Sequence, residues 1–563
     1  MIRRWVVIFF ALNLTGCATI PTSGPVESVP ADPPAQGVHI APEPPLDGMS
    51  PTRLIEGFLQ AMVDPGADYE VARQYLQDSV RDQWDPSLGA TVYEGGVVEE
   101  SGKFEVRGNR VGELDQGGRF TSSRDSFRWA VDVVEEAGEW RIAQPPEGVL
   151  ISRFIFDAHY AHPRVYYISN PAGHVVPELL HLPDGMLTPE WVVEAQLRGP
   201  GDELAPTVHN AIPDGAELSP QGVTVDANGI AQVSLRNLPT DLSKEQRREL
   251  GAQLLWSLTA IPRVDGLRIR HEGSHFRLPG ENGDGVLELS SQQGYQVLSR
   301  ANASDLFGVR DGVAGRISTS GGFVEITTGD EPVAEVAVSL DGARIAVIDQ
   351  DRSQVRLGSL GGKTEPVRPG VTNLRSAQFI QDELWLLGDN SQGRERLVRI
   401  DTRGGASLVD TSVLPGSIVG FSGSQTANHF AFITDNGKNK RLLVAFFTNG
   451  KKPVLEQWQE LAIADEAERD IYGYTDVSWG GETELVVLAE TETRTTAYLM
   501  NMDGSLAEHI GPMPATAVQI TALPRMGGDA IVMRAEDDRL FAFEDRIRWS
   551  DLELELSQAG FPG

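Results

Sequence analysis

Two histidines four residues apart form the most specific catalytic pattern in the chain. His271, Glu272 and His275 have the H-E-x-x-H spacing of zinc proteases, in which one helix face presents both metal ligands and the glutamate acts as general base. Here the preceding residues alternate as in a strand, and Gly273-Ser274 indicates a turn. We interpret the segment as a surface hairpin. A hairpin could still place His271 opposite His275, but no third ligand is evident nearby, so we predict no metal site.

A second pattern falls one residue short of a phosphate-binding loop. Gly358 is followed by three residues before Gly362-Lys363-Thr364, whereas such a loop needs four, and Pro366 prevents the helix that would hold the phosphate. We interpret this segment as a turn. The chain also has no G-x-S-x-G elbow, dinucleotide fingerprint or C-x-x-C pair. We therefore predict no catalytic residues, no cofactor and no enzyme activity.

The one cysteine of the chain has a different chemistry. Cys17 follows Leu14-Thr15-Gly16, after two arginines and an apolar run over residues 5–14 that is too short to span a bilayer of ~30 Å. This arrangement resembles a bacterial lipobox. It implies cleavage between Gly16 and Cys17, with an S-diacylglycerol and an N-palmitoyl group on Cys17. The alternative is a cleaved secretory signal with an incidental free thiol.

Composition and charge exclude several classes of protein. Hydrophobic residues make up 40% and charged residues 23% of 563, as expected of folded domains rather than a polytopic membrane protein. The formal net charge is −32, which disfavours nucleic-acid binding. After removal of residues 1–16, 46 basic residues remain against 80 acidic ones, giving −34. Such a body favours a partner surface that is basic or apolar.

Proline-rich sequence then separates the cysteine from the body. Residues 18–48 contain eight prolines, which exclude a helix or a strand ladder. We predict an extended tether over residues 17–49, behind a signal peptide of residues 1–16. At ~3.1 Å per residue it could hold the body roughly 90 Å from the membrane.

Residues 50–160 are predicted to form an α+β domain. Ser50 can cap a helix that begins with Pro51, and apolar residues follow at helical spacing. A second helix is predicted with Val71, Tyr75 and Val80 on one stripe, before short strands separated by glycine turns. Two helices followed by a meander resemble the cone of cystatin-like or nuclear-transport-factor-2-like (NTF2-like) proteins.

Residues 161–280 resemble the GerMN domain of sporulation and germination proteins. The chain has an opening strand at residues 165–168, a helix capped by Thr188 and closed by Gly199-Pro200, and a second helix with a capping box of Ser243 and Gln246. The resemblance implies an α/β binding module without catalytic residues.

Residues 285–563 are predicted to form a β-propeller. Five pairs of strands, each with an apolar second strand, recur at intervals of about 40–55 residues, the period of propeller blades. Residues 286–330 could add a sixth blade, and the blade number is left between five and seven. A flat sandwich is the alternative. The fold class is therefore multidomain and mainly β.

Taken together, the lipobox, tether, cone, GerMN-like module and propeller resemble the LpqB family of actinobacterial lipoproteins. The resemblance implies a lipid-anchored protein on the extracytoplasmic face of the cell membrane. It further implies a non-catalytic accessory of the MtrAB two-component system. Its partner would be the extracytoplasmic region of the sensor kinase MtrB, and its role would lie in envelope homeostasis and division.

A different class of function stays open beside this one. A wall-facing protein could bind glycan or peptidoglycan through the propeller or the GerMN groove. An aromatic groove would favour glycan and a broad apolar patch a protein partner, whereas a carboxylate cluster in the propeller channel would favour an enzyme.

Overall fold

The computed structural model describes residues 42–563 apart from 171–172, 297–304, 318–321, 450–452, 464–470, 493, 525–529 and 545. The described residues belong to one compact unit, residues 42–563. The expected signal peptide and residues 17–41 of the expected tether lie outside the described part. The last tether residues contact the first domain, where the Tyr75 hydroxyl donates to the Glu43 carbonyl and the Gly48 amide donates to Glu139. Within the described residues, no helix is long and apolar enough to cross a membrane.

Helices open the first domain and a sheet follows. The helices are α1 (Pro51–Ala61), α2 (Gly66–Gln74), α3 (Asp78–Arg81) and, at the end, α4 (Arg153–His159), with a 3-10 turn at Pro86–Leu88. The strands are β1 (Ala90–Glu100), β2 (Lys103–Leu114), β3 (Phe120–Ser122), β4 (Ser126–Val131), β5 (Val133–Glu136), β6 (Glu139–Ile142) and β7 (Val149–Ser152). The main sheet has the order β3-β2-β1-β7 with β4 on β2, and β7 runs parallel to β1.

The predicted start of α1 is confirmed, and the predicted second helix is shorter than expected. Ser50 Oγ accepts from the Arg53 amide, and Pro51 is the first helical residue. The stripe from Val71 to Val80 is divided between α2 and α3. It breaks because the backbone at residues 75–77 bonds to strand β6: the Ile142 amide donates to the Tyr75 carbonyl, and the Gln77 amide donates to the Ile142 carbonyl.

The second domain places two helices against two small sheets. Its helices are α5 (Pro189–Arg198) and α6 (Lys244–Leu258), with 3-10 turns at Asp184–Met186 and Leu289–Tyr295. Its strands are β8 (Tyr160–Ala161), β9 (Arg164–Ser169), β10 (Val175–Leu179), β11 (Leu182–Pro183), β12 (Val208–His209), β13 (Glu217–Val225), β14 (Ile230–Arg236), β15 (Gly266–His271), β16 (Ser274–Phe276) and β17 (Leu287–Glu288). The sheet orders are β10-β9-β12 and β13-β14-β15-β16, with β17 on β15.

Both predicted helix caps of this domain are present. Thr188 Oγ1 accepts from the Trp191 amide at 3.1 Å. Ser243 and Gln246 form the reciprocal capping box. Because β17 pairs with β15, residues 287–295 belong with this domain, and the first propeller strand comes after the predicted boundary at 285.

The remaining strands form six four-stranded sheets arranged as blades. Blade 1 contains β18 (Leu306–Arg310), β19 (Val313–Ile317), β20 (Phe323–Glu325) and β41 (Gln558–Gly560). Blades 2 and 3 contain β21 (Val333–Val338), β22 (Arg344–Asp349), β23 (Val355–Ser359), β24 (Thr364–Val367), β25 (Thr372–Ile380), β26 (Glu383–Asp389), β27 (Glu395–Ile400) and β28 (Ala406–Leu408). Blades 4 and 5 contain β29 (Ser417–Gly423), β30 (His429–Asp435), β31 (Lys440–Asn449), β32 (Pro453–Leu461), β33 (Ile471–Trp479), β34 (Glu484–Thr491), β35 (Thr495–Asn501) and β36 (Ala507–His509). Blade 6 contains β37 (Ala517–Ala522), β38 (Ile531–Ala535), β39 (Arg539–Glu544) and β40 (Arg548–Glu555).

The predicted propeller is confirmed with six blades. The five predicted strand pairs are the first two strands of blades 2 to 6. The sixth blade takes three strands from residues 306–325 and its innermost strand, β41, from the end of the described chain. This pairing joins the two ends of the propeller sequence within one sheet.

A ring of side-chain hydrogen bonds joins the innermost strands of all six blades. At each junction, a polar side chain of one blade accepts from a backbone amide of the next inner strand. The accepting and donating residues are Glu335 and Ala377, Gln378 and Gly423, Ser422 and Trp479, Asp476 and Ile520, Ser478 and Ala522, Gln519 and Ala559, Thr521 and Phe561, and Gln558 and Val336. The amides that inner strands would otherwise leave unpaired at the channel are thereby satisfied.

Candidate functional sites

The propeller channel is lined by polar side chains that the ring already uses. Asp476 is the one carboxylate among the described residues lining it. Its Oδ2 accepts from the Ile520 amide at 2.8 Å, and burial raises its pKa to about 7. Asp476 thus joins blades 5 and 6 through a bond from a backbone amide. The described channel residues therefore do not form the carboxylate cluster that would favour an enzyme.

The second domain covers the end of the propeller at which first and second strands join. The Tyr166 hydroxyl donates to Glu482 at 2.9 Å, and His174 Nε2 lies 3.1 Å from the Thr426 carbonyl. The Asn428 amide group donates to the Thr207 carbonyl at 3.1 Å. These contacts engage the turns after β29 and β33. The opposite end, at which second and third strands join, is a separate surface.

That opposite end carries basic and apolar residues on three successive blades. The turns after β26, β30 and β34 present Arg394, Lys438 and Arg494, all exposed. Among the described residues, none of these three has an acidic partner. We call this surface the blade 3–5 patch; its members are Arg394, Lys438, Arg494, Val413, Val419 and Tyr472.

The apolar members of the patch lie close to the same turns. Val419 is 41% exposed and Tyr472 is 54% exposed, near the starts of inner strands β29 and β33. The start of β33 pairs with the end of β34, since Ile471 is opposite Thr491. Val413, 37% exposed, lies in the connection between blades 3 and 4. The patch therefore combines apolar surface with three basic side chains that have no ion-pair partner among the described residues, and Asp435 and Glu492 lie beside them.

A chain of three side chains, with the buried His181 at its centre, links the second domain to the propeller. His181 Nε2 lies 2.6 Å from Asp503 Oδ2, and His181 Nδ1 lies 2.6 Å from His162 Nδ1. Burial, followed by the neighbouring His181, lowers the pKa of His162 to about 4, so its imidazole is neutral near pH 7. Although burial opposes it, His181 and Ser505 together lower the pKa of Asp503.

The same junction encloses a cavity of about 430 Å³. The first domain contributes the segment from Asp115 to Thr121, and the second contributes Glu178 and residues 198–204. The propeller contributes residues of β30, β31 and β32 and the turn after β35. All three domains therefore form its wall, and its size is in the range of small-molecule sites.

The residues singled out by the sequence patterns fall outside these sites. Gly16 and Cys17 lie outside the described residues. Residues 358–364 are the end of β23, a tight turn and the start of β24, as the turn interpretation predicted.

The H-E-x-x-H segment is the hairpin of β15 and β16. Its register pairs His271 with Ser274 and Arg270 with His275, so the two histidines project from opposite faces. The idea that the hairpin would place His271 opposite His275 is therefore wrong. His275 instead approaches Glu281 at 3.1 Å. Within the described residues, no three His, Cys, Asp or Glu side chains form a group that could hold a metal ion.

The sequence reasoning missed both the patch and the junction. For the patch a signal existed, because a basic residue follows the apolar second strand in three consecutive repeats. No pattern in the sequence indicated the junction between the domains. His162, His181 and Asp503 are separated by up to 341 positions, and only the docking of the domains brings them together.

Three family models match successive segments of the chain. The model described as Lipoprotein LpqB, N-terminal domain matches residues 44–157, and that described as Sporulation and spore germination matches residues 164–275. The model described as Lipoprotein LpqB beta-propeller domain matches residues 315–559. The predicted order of N-terminal domain, GerMN-like module and propeller is confirmed.

Three relatives named Lipoprotein LpqB match over more than nine-tenths of their length. The protein of Cutibacterium acnes is 28% identical over 98% of this chain and 97% of the relative. That of Thermobifida fusca is 26% identical with the same coverage, and that of Streptomyces coelicolor is 26% identical over 93% and 92%.

Among solved structures, TolB from Acinetobacter baumannii covers 61% of this chain and 98% of its own, at 11% identity and a TM-score of 0.37. A putative TolB from Agrobacterium tumefaciens has a TM-score of 0.34 at 16% identity, over 44% of this chain and 87% of its own. Both TM-scores are too low to support an argument about the fold. The propeller assignment is therefore based on the strand order of the six sheets described above.

Proposed function

Because the chain belongs to the LpqB lipoprotein family, a family of membrane-anchored lipoproteins, we propose that it is a non-catalytic accessory of a membrane signalling system. Its body stands on the extracytoplasmic face and binds the extracytoplasmic region of the sensor kinase MtrB. Through that contact it modulates the MtrAB system and supports envelope homeostasis and cell division.

The blade 3–5 patch is the observation that carries this proposal. Large exposed apolar side chains next to unpaired charge are typical of protein-binding surfaces. Tyr472 is more than half exposed, and aromatic residues of this kind commonly anchor interfaces. A rigid propeller holds such residues in fixed positions, so little conformational entropy is lost on binding.

The charge of the patch indicates what the partner surface should be. The net charge of the chain is −32, and each of the three turns presents one exposed basic residue, Arg394, Lys438 or Arg494, beside carboxylates such as Asp435 and Glu492. The partner surface should therefore offer acidic groups to these three basic residues, next to apolar residues that cover Tyr472. Confinement of both proteins to one membrane raises their effective concentration and strengthens a modest contact.

A binding role also agrees with the chemistry of the channel. Its polar side chains are bonded to backbone amides around the ring, and its carboxylate is held in the same way. A catalyst needs reactive groups that are free to contact a substrate. The channel supplies a rigid scaffold, and the outer surface supplies the contact.

Site-specific cross-linking in intact cells tests the proposal. A photoreactive amino acid is placed at Tyr472 in the patch. The matched control is Ile547, which is 73% exposed and lies in the turn after β39 at the opposite end of the propeller. We expect MtrB to be captured from Tyr472 and not from Ile547. Equal capture at both positions, or capture of glycan or lipid alone, would overturn the proposal.

A further inference from the structure

The cavity at the junction of the three domains contains a histidine without a hydrogen-bond partner. His429 opens β30 and is 1% exposed, and neither Nδ1 nor Nε2 has a partner within the described residues. Its ring lies edge-on to Phe446 at 5.1 Å and stacks on Trp479 at 6.2 Å. A buried imidazole normally has both nitrogens satisfied. His429 lines the cavity, so a molecule bound there could supply the missing partners.

The protonation of His429 decides what kind of group it can bind. Burial lowers its pKa to about 4, so the imidazole is neutral near pH 7. A neutral imidazole offers one donor and one acceptor. It therefore matches a hydroxyl or an amide rather than a charged group. Phe446, Val444 and Met502 surround this part of the cavity with apolar surface.

Most charged groups of the wall are already paired. Arg119 donates to both oxygens of Glu178, at 2.9 and 3.3 Å, and to the Gly199 carbonyl at 2.8 Å. Glu178 also accepts from the Gly201 amide at 2.8 Å. Asp503 is bonded to His181 at 2.6 Å. These groups already have hydrogen-bond partners within the protein.

The charges that remain unpaired are mainly acidic. Within the described residues, Asp202 and Glu203 form no ion pair, and both belong to the cavity wall. Burial, followed by repulsion from Glu178 and Asp202, raises the pKa of Glu203. A cation beside Glu203 would offset the repulsion among these carboxylates. The one unpaired cation of the wall, Arg198, is exposed and lies over the ring of Trp191 at 5.9 Å.

We propose that this cavity binds a small organic amine with an apolar body and one hydroxyl or amide group. The ammonium group pairs with Glu203, the apolar body contacts Phe446 and Met502, and the neutral polar group bonds to His429. The ligand thereby touches the second domain and the propeller and stabilises their docking. This site lies apart from the blade 3–5 patch and is independent of the proposed partner.

Three probes with the same phenol ring test the proposal on the full chain in nanodiscs. Tyramine carries the amine, 4-ethylphenol is neutral, and 4-hydroxyphenylpropionate is an anion. Binding is measured by saturation-transfer NMR and calorimetry. We expect tyramine to bind about tenfold or more tightly than either control, because only tyramine forms the charge-assisted contact. Absence of tyramine binding, or tighter binding of the anion, would overturn the proposal.

Variants then locate the binding site. We expect Glu203→Gln and His429→Phe each to weaken tyramine binding about tenfold, since each removes one polar partner. The control is Glu194→Gln, at an exposed glutamate of α5 that does not line the cavity. Circular dichroism verifies that each variant is folded. Tyramine binding that is unchanged in Glu203→Gln would place the amine elsewhere and contradict the proposal.

Discussion

Asp476 lies at the channel wall, where burial raises its pKa to about 7 from an ordinary 3.8. A carboxyl whose pKa is higher in the folded state than in the unfolded state binds its proton more tightly when folded. Its contribution to stability is therefore largest below about pH 4 and is lost as the pH rises towards 7. Above that value the folded chain holds a poorly solvated carboxylate.

Asp476→Asn should remove this pH dependence while keeping an acceptor for the Ile520 amide. We expect the variant to gain about 2–3 kcal/mol over wild type between pH 5 and pH 8, because the asparagine cannot ionise. Thermal unfolding at both pH values measures the difference. Asp214→Asn, at an exposed aspartate, is the control. If the difference in stability between Asp476→Asn and wild type were the same at pH 5 and pH 8, this account of Asp476 would be contradicted.

His181 connects His162 to Asp503 across the boundary between the second domain and the propeller. With Nε2–H donating to the carboxylate, Nδ1 accepts the proton of His162 Nδ1. His181→Ala removes both bonds, and Asp503 keeps only its contacts with Ser505. We expect a loss of about 1–3 kcal/mol in stability, the usual cost of a buried polar group that loses its hydrogen-bond partner.

Hydrogen exchange tests the location of that effect. Exchange should increase in His181→Ala at residues 115–121 and 502–505, which meet at the junction. His159→Ala, at a half-buried histidine that ends α4, should leave both segments protected. Unchanged exchange at the junction in His181→Ala would mean that this chain of side chains does not hold the domains together.

Among the strands of the propeller, those with a continuous apolar sequence could be predicted. The second strands of blades 2 to 6 are almost wholly buried, so each has a continuous apolar sequence, as in residues 345–348 and 430–433. Blade 1 lacked this signal because Gly308 and Gly315 interrupt its strands. Its inner strand also comes from residues 558–560, and pairing over about 250 positions leaves no local pattern.

Local rules also failed at one helix. Val71 to Val80 has helical periodicity, but the backbone at Tyr75 and Gln77 bonds to strand β6 instead. The spacing of apolar residues cannot reveal such a tertiary contact. By contrast, the caps at Ser50, Thr188 and Ser243 were predicted because capping depends only on residues within one turn.

The closing element of the propeller can be tested at Gln558. Its side chain accepts from the Val336 amide and donates to the Val336 carbonyl, which joins blade 1 to blade 2. We expect Gln558→Ala to lower stability by about 1–3 kcal/mol, since two buried backbone groups lose their partner. Gln392→Ala, in the exposed turn after β26, is the control. Equal unfolding midpoints for the two variants, measured in urea, would contradict a role of the ring in closure.

For the whole molecule, the sequence predicted the multidomain, mainly β architecture but did not reveal the blade 3–5 patch. A net charge of −32 is an average, whereas three turns at one end of the propeller concentrate Arg394, Lys438 and Arg494. The junction cavity was equally hidden, because its wall comes from three domains. Sequence patterns describe neighbours along the chain, and both candidate sites are built from neighbours in space.

The anchor gives a prediction for the intact cell. Cys17→Ser should leave the body folded but move it from the membrane fraction to the medium or to an unprocessed precursor pool. Two acyl chains on one cysteine give stable anchoring, which the serine variant lacks. Fractionation with immunoblotting measures the distribution, and Ser23→Ala, a change in the tether, serves as control. Cys17→Ser protein that stays in the membrane fraction would contradict the assignment of the lipidated residue.

Binding between the full chain in nanodiscs and the purified sensor region of MtrB, measured by interferometry, tests the central claim most directly. Wild type is compared with Arg394→Glu, Lys438→Glu and Arg494→Glu combined. The control reverses three exposed basic residues of the second domain, Lys244→Glu, Arg263→Glu and Arg277→Glu. We predict wild-type binding that weakens about tenfold or more in the patch variant and changes less than about twofold in the control. No binding by wild type, or equal binding by all three proteins, would contradict the account.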